Sequence, residues 1–450
     1  MNEDENNDDI VILGGNWDCK RWWYRLTHIC RRWRYLILDS AHYLSLRLLC
    51  TYGTLVADML THSPPLPLIV DHLSLDDYNI TAEEEEGVLL TLQHRDHVHC
   101  VCLNMPVLHL QRLVLAMDGE FLMLENLVLT PPDKRKINTS LALPKEFQAP
   151  HLRHLILVKF ASPIGSALLT TGVGLVTLSL DYIYPSTYFH PNSLVVTLLL
   201  MPQLEILGIS FHSSIPICEF ERQLLQTPVR THTTLPHLCW FAFRGDSAYL
   251  EALLPQMTTP LLEKLQVIVF NQLTLSIPCL LHFMNAAANL KFTSTDITFD
   301  DFLNMRLYPP EGAALNASFI QVDCPYLECQ VAVAVQISDQ LRAILSPVVY
   351  LTFKYGAVSS LSADGETERT QWREILRSFS NVKTLRVPNA LVWDLSQALR
   401  SADGESPEDL LPELKELKYA MTDKVRIKDA FGTFIIARQN SGHPITLLRG

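Results

Sequence analysis

Leu152-Arg-His-Leu155-Ile-Leu157 has the form L-x-x-L-x-L, and the chain writes this phrase again and again. Its last three positions alternate apolar and variable residues, as a short strand with one buried face requires. Copies stand at Val70–Leu75, Val98–Leu103, Leu124–Leu129, Leu175–Leu180, Leu204–Ile209, Leu238–Phe243 and Leu262–Val267. Others follow at Val348–Phe353, Val382–Val387 and Leu414–Tyr419, with weak ones at Leu290–Thr295 and Ala317–Val322. Successive starts lie roughly 23 to 34 residues apart, which fits leucine-rich repeats, slightly stretched and irregular. One such unit buries too little alone and has to stack on its neighbours. The expected fold class is therefore α/β: a solenoid over residues 64–450, with a curved parallel sheet, helices on the convex side and a C-terminal cap.

Between the strands the apolar spacing relaxes to a helical one, at Phe220–Gln226, Ser247–Met257 and Thr370–Phe379. Leu110–Leu115 also fits the strand phrase but follows its predecessor too closely, so it reads as the helix of that repeat. The acidic run Glu83–Glu86 suits a helix start, where carboxylates meet the positive end of the dipole. Asp429–Gln439 reads as a last helix and Ile445–Leu448 as a closing strand. Two loops share the phrase Ser-Ala-Asp-Gly-Glu, at Ser362–Glu366 and Ser401–Glu405, and read as solvated turns.

Upstream of Pro64 the text changes. Residues 1–16 form an acidic stretch expected to be disordered, with five acids in Met1–Asp9. Residues 17–63 are expected to be a small helical segment, with a strand-like run at Ser45–Cys50 and a short helix at Thr54–His62. Within it, Trp22, Leu26, Ile29, Trp33 and Leu36 recur at spacings of four and three, one stripe of a helix over Trp22–Leu38. Arg21, Arg25, His28 and Arg32 lie on another face. Four of the seven tryptophans fall between Trp17 and Trp33, more than a small exposed helix needs for its own packing.

The segment Leu26-Thr-His-Ile-Cys30-Arg-Arg-Trp33-Arg-Tyr-Leu36 resembles the second half of an F-box. Ahead of a repeat array, it gives the whole chain from about Trp22 a likeness to the F-box and leucine-rich-repeat proteins abundant in mushroom-forming fungi. Further marks of the likeness are Phe147–Leu155 and Ser378–Leu385. Met1–Cys19 has no counterpart of the Leu-Pro-x-Glu that opens the family's F-box, so the first half of that motif is missing. The resemblance implies a substrate-recognition subunit of a Skp/cullin/F-box ubiquitin ligase. Leu26, Ile29, Cys30, Trp33 and Leu36 would contact a Skp-type adaptor, and the repeats would hold a protein substrate. The alternative is a repeat scaffold that binds proteins without ligase contact.

The remaining composition narrows the classes. A formal net charge of −12 argues against general affinity for nucleic acid or anionic membrane. No apolar run approaches the roughly 18 residues that span a bilayer, and no basic-then-apolar leader opens the chain. An intracellular chain is expected, cytoplasmic or nuclear, its ten scattered cysteines reduced. His97-Val-His99-Cys100-Val-Cys102 is the densest set of metal-ligand types, but alternation puts the histidines and the cysteines on opposite faces of a strand. No phosphate loop, nucleophile elbow or zinc-protease helix is present. Neither an enzyme nor a cofactor is expected.

Overall fold

The computed structural model describes residues 29–40, 46–51, 53–62, 66–73, 80–132, 141–213, 231–270, 275–310, 317–324, 326–356, 365–400, 410–419 and 424–449. They fall into two compact units, the first reaching Ser213 and including 231–238, the second running from Cys239 onward. The acidic stretch 1–16, Leu26, Phe220–Gln226 and most of the two Ser-Ala-Asp-Gly-Glu loops lie outside the described residues.

The first unit opens with α1 (Arg31–Asp39), β1 (Leu48–Cys50) and α2 (Val56–His62). Then come β2 (Leu68–His72), α3 (Ala82–Gln93), β3 (Val98–Asn104) and α4 (Val107–Ala116). Next are β4 (Asn126–Thr130), β5 (His154–Val158), α5 (Ala167–Thr171), β6 (Thr177–Ile183), α6 (Pro191–Leu198) and β7 (Ile206–Phe211). The strands pair in chain order and every pairing is parallel. Cys50, Val70, Val101, Leu127, Leu155, Leu178 and Leu207 stand side by side across this ladder, all buried. Each such side chain contributes about 1.5–3 kcal/mol by leaving water. The helices cover this leucine face: Thr91 of α3 sends its hydroxyl to Cys50 Sγ at 3.6 Å.

Local signals place α3 closely. Thr81 accepts from the Glu84 N–H while the Glu84 carboxylate accepts from the Thr81 N–H at 2.9 Å, a reciprocal cap. The same carboxylate accepts from the Gly53 N–H at 2.8 Å. Gly87 brings α3 against α2, since a Cβ there would sit 3.1 Å from Val56 Cγ2.

One expected register is wrong by three residues. Val70 pairs with Val101, so it fills the fourth position of the phrase, not the first. The third leucine position then falls to His72, which pairs with Leu103 in the row continued by Leu129, Leu157, Leu180 and Ile209. His72 is buried, and desolvation lowers its pKa to about 4 against the pull of Glu84. Leu73 had masked the shift by offering a leucine at the wrong offset.

The second unit carries β8 (Trp240–Gly245), α7 (Ser247–Leu253), β9 (Lys264–Val269) and α8 (Pro278–Ala286). After these come β10 (Ser294–Phe299), β11 (Leu303–Tyr308), β12 (Ser318–Val322) and α9 (Leu327–Gln340). It closes with β13 (Tyr350–Tyr355), α10 (Gly365–Arg377), β14 (Thr384–Val387), α11 (Val392–Leu399), β15 (Glu416–Tyr419), α12 (Lys424–Asn440) and β16 (Thr446–Arg449). Here the all-parallel expectation fails. β12 pairs parallel with β9, and β10 pairs parallel with β13. Between them β11 runs antiparallel to both. A three-strand meander therefore stands where strand–helix repeats were expected, in reverse spatial order.

The physical cause is local. Thr295 and Ser318 occupy inward positions that leucine fills elsewhere, as their pairings with Leu351 and Leu307 show. Both weak copies of the phrase are consequently displaced by two residues. Ser294–Phe299 and Leu303–Tyr308 alternate with period two across a three-residue gap, which is a hairpin signal. On the inner face Trp372 of α10 meets Phe299 and Phe353 edge-on, with centroids 5.3 and 5.7 Å apart. Phe241 of β8 likewise packs on Phe283 of α8, so the helices again cover the inward rows.

Side chains tie successive helices together. Glu251 of α7 accepts from the Cys279 and Leu280 N–H groups at the start of α8, at 2.8 and 3.0 Å. Arg373 of α10 donates to the Ala398 and Arg400 carbonyls ending α11, at 2.7 and 2.8 Å. In the first unit buried Glu85 of α3 meets His109 and Arg112 of α4 at 2.9 and 2.8 Å.

Candidate functional sites

The first candidate is α1. Its N-cap is Cys30, held extended at φ −160° and ψ 166° with no side-chain cap. The helix thus begins at Arg31, and the expected continuous helix over Trp22–Leu38 is interrupted there. Arg31, Arg32 and Arg34 crowd the first turn, where cations oppose the helix dipole. Ile29 and Cys30 precede the helix and are exposed. Trp33 and Leu36, one turn apart, are 48% and 57% exposed, and Tyr35 is exposed beside them. The buried residue of α1 is Ile37, which the stripe did not include. Ile29, Trp33 and Leu36 thus present apolar surface, with arginines around them.

The second candidate is the strand face turned away from the helices. In the first unit Ile69, Cys100, Cys102, Val128 and Ile156 form a buried apolar cluster on that face, with Leu49 and Leu73 packed against it. The Cys100 and Cys102 sulfurs lie 3.4 Å apart, and that contact together with burial raises the Cys100 pKa. His99 approaches Glu125 at 3.6 Å, at the point where the pairing of β3 with β2 shifts register. Among the described residues no group of three or more His, Cys, Asp or Glu could hold a metal ion. The eight described cysteines are free thiols.

In the second unit the same face is polar, aromatic and charged. Trp240 lies under Lys264 Nζ at 4.3 Å. Asp296 receives Lys354 at 2.8 Å and the Tyr308 hydroxyl at 3.1 Å. Burial, with Asp296 adding to it, raises the Tyr308 pKa. Arg244 approaches Asp323 at 3.8 Å, and Lys418 approaches Glu416 at 3.4 Å. Arg386 is exposed and stands directly beside Lys418 on the next strand. The sequence phrase hid this face, because its variable positions carry no repeating signal.

The class these ladders define is α/β: in each unit strands and helices alternate over a mostly parallel sheet, and in the second an antiparallel meander breaks the pattern. No protein-family model and no curated protein matches the chain. Among solved structures, the leucine-rich repeat-containing protein LegL7 from Legionella pneumophila is similar at 10% identity and a TM-score of 0.28, over 89% of this chain and 99% of that one. Among the described residues no helix is long and apolar enough to cross a membrane.

Proposed function

We propose that the chain is a substrate-recognition adaptor of a Skp/cullin/F-box-type ubiquitin ligase. In this reading Leu26, Ile29, Cys30, Trp33 and Leu36 engage a Skp-type adaptor, and the strand face of the repeats recruits a protein substrate. The observation that carries it is the exposure of Ile29, Trp33 and Leu36, since large apolar side chains left in water at one helix mark an interaction surface. The protein would do no chemistry itself; it would raise the local concentration of substrate near the transferring enzyme. A scaffold without ligase contact is the second reading, favoured by the break at Cys30, which takes Ile29 off the helix.

Titration of a purified Skp-type adaptor by calorimetry separates the two. Trp33→Ala is expected to cost about 2 kcal/mol, roughly thirty-fold in affinity. Leu108→Ala, an exposed leucine on α4, should change nothing. Equal affinities for wild type and the Trp33 variant, or no binding by either, would leave the scaffold reading.

A further inference from the structure

The outward strand face of the second unit concentrates cations in a chain whose formal charge is −12. Arg386 and Lys418 are direct neighbours on β14 and β15, strands roughly 4.8 Å apart. Lys383 and Lys415, both exposed, stand where the same two strands begin and are joined through a backbone hydrogen bond of 2.9 Å. Like charges side by side on a sheet repel one another. Of the described carboxylates beside these strands, Glu416 is already engaged by Lys418 and by the Thr384 hydroxyl, and Glu413 is exposed. Among the described residues no carboxylate pairs with Arg386. Such a cluster is stabilised when an anion from outside is brought to it.

The rest of the face restricts what the anion can be. Tyr350 is 52% exposed and pairs with Thr384 on the strand next to the cations. Beyond it lie Tyr308 and the Lys264–Trp240 pair, flat surfaces suited to apolar or aromatic groups. Asp296 and Asp323 interrupt the far side. A continuous phosphate backbone laid across the strands would meet those carboxylates, whereas a peptide carries its acids at chosen positions and can place neutral residues opposite them. We infer that this face binds an acidic segment of a partner protein, its Asp and Glu side chains on Arg386 and Lys418, with Lys383 and Lys415 at the strand ends adding to the positive field, and its apolar residues on Tyr350. The inference rests on the reading of the repeats as the substrate-recruiting part and names the chemistry of that substrate.

The test uses the full-length chain and fluorescence anisotropy of a labelled dodecapeptide alternating Glu and Gly around a central Leu. A Gln-for-Glu version and a twelve-nucleotide oligouridine serve as the comparison probes. The Glu peptide is expected to bind, to weaken as salt shortens the reach of charge from about 10 Å at 0.1 M to about 3 Å at 1 M, and to lose roughly tenfold in affinity on Arg386→Glu. Tyr350→Ala should weaken it without altering the salt slope. Both substituted side chains are exposed, and matching thermal melts would establish that the variants fold. The inference is overturned if the Gln peptide binds equally, if Arg386→Glu has no effect, or if the oligouridine binds as tightly as the Glu peptide. Adaptor binding through Trp33 is measured separately, so loss of one result leaves the other standing.

Discussion

His72 is the one titratable side chain in a row otherwise filled by leucine and isoleucine, and its folded pKa of about 4 lies below the ordinary 6.5. Below pH 6.5 the unfolded chain takes up a proton that the folded chain refuses until about pH 4. Stability is therefore full above pH 6.5 and falls as pH drops through that window, by at most about 3 kcal/mol. His72→Leu should flatten this loss, so that its urea midpoint changes less between pH 7 and pH 4.5 than that of wild type. Asp71, whose pKa burial raises, opposes the trend but is common to both proteins. Identical pH dependence in the two would show that the ring finds a proton acceptor or water on protonation. The sequence carried this residue in plain view. Its role stayed hidden because Leu73 and Leu75 offered a better-looking phrase three residues out of register.

At the scale of elements, Arg373 shows how one helix finishes another. The last carbonyls of α11 lack partners within their own helix, and a cation there also suits the dipole. Arg373 supplies two bonds, and Arg369 adds a third to Arg400 O at 3.0 Å. Arg373→Met keeps the apolar stem and removes the donors, which should cost about 2–3 kcal/mol. Arg373→Lys should recover part of that loss. Urea unfolding of the three proteins measures it, and a Met variant as stable as wild type would mean water replaces the guanidinium. Elements of this kind were mostly readable beforehand: α4, α7, α10, α12 and the capped start of α3 lie where spacing and acids put them. The beginning of α1 was not, because the apolar stripe ran on through Cys30 and nothing in the periodicity marks an extended residue there.

At the scale of the whole molecule, a repeated leucine phrase was enough to foresee alternating strands and helices. It could not foresee the meander, because a period read from leucines passes over Thr295 and Ser318. Nor could it find the charged face of the second unit, since the variable positions become neighbours only once strands pair in register. The meander also bears on how the protein folds. Asp300–Phe302 is all that separates β10 from β11, whereas parallel neighbours such as β14 and β15 are joined through a helix and a long connection. Closing a short loop forfeits less chain entropy, so these contacts are expected to form early. Arrays of equivalent repeats can start folding at any rung; a hairpin makes one rung kinetically privileged. We predict that Met305→Ala, in β11, mainly slows refolding, while Leu417→Ala, in β15, mainly speeds unfolding. Stopped-flow kinetics in urea distinguish the two, and a Met305 variant that refolds at the wild-type rate would move the nucleus elsewhere. On this view the interruption that spoils the repeat is the place from which the second unit's order spreads.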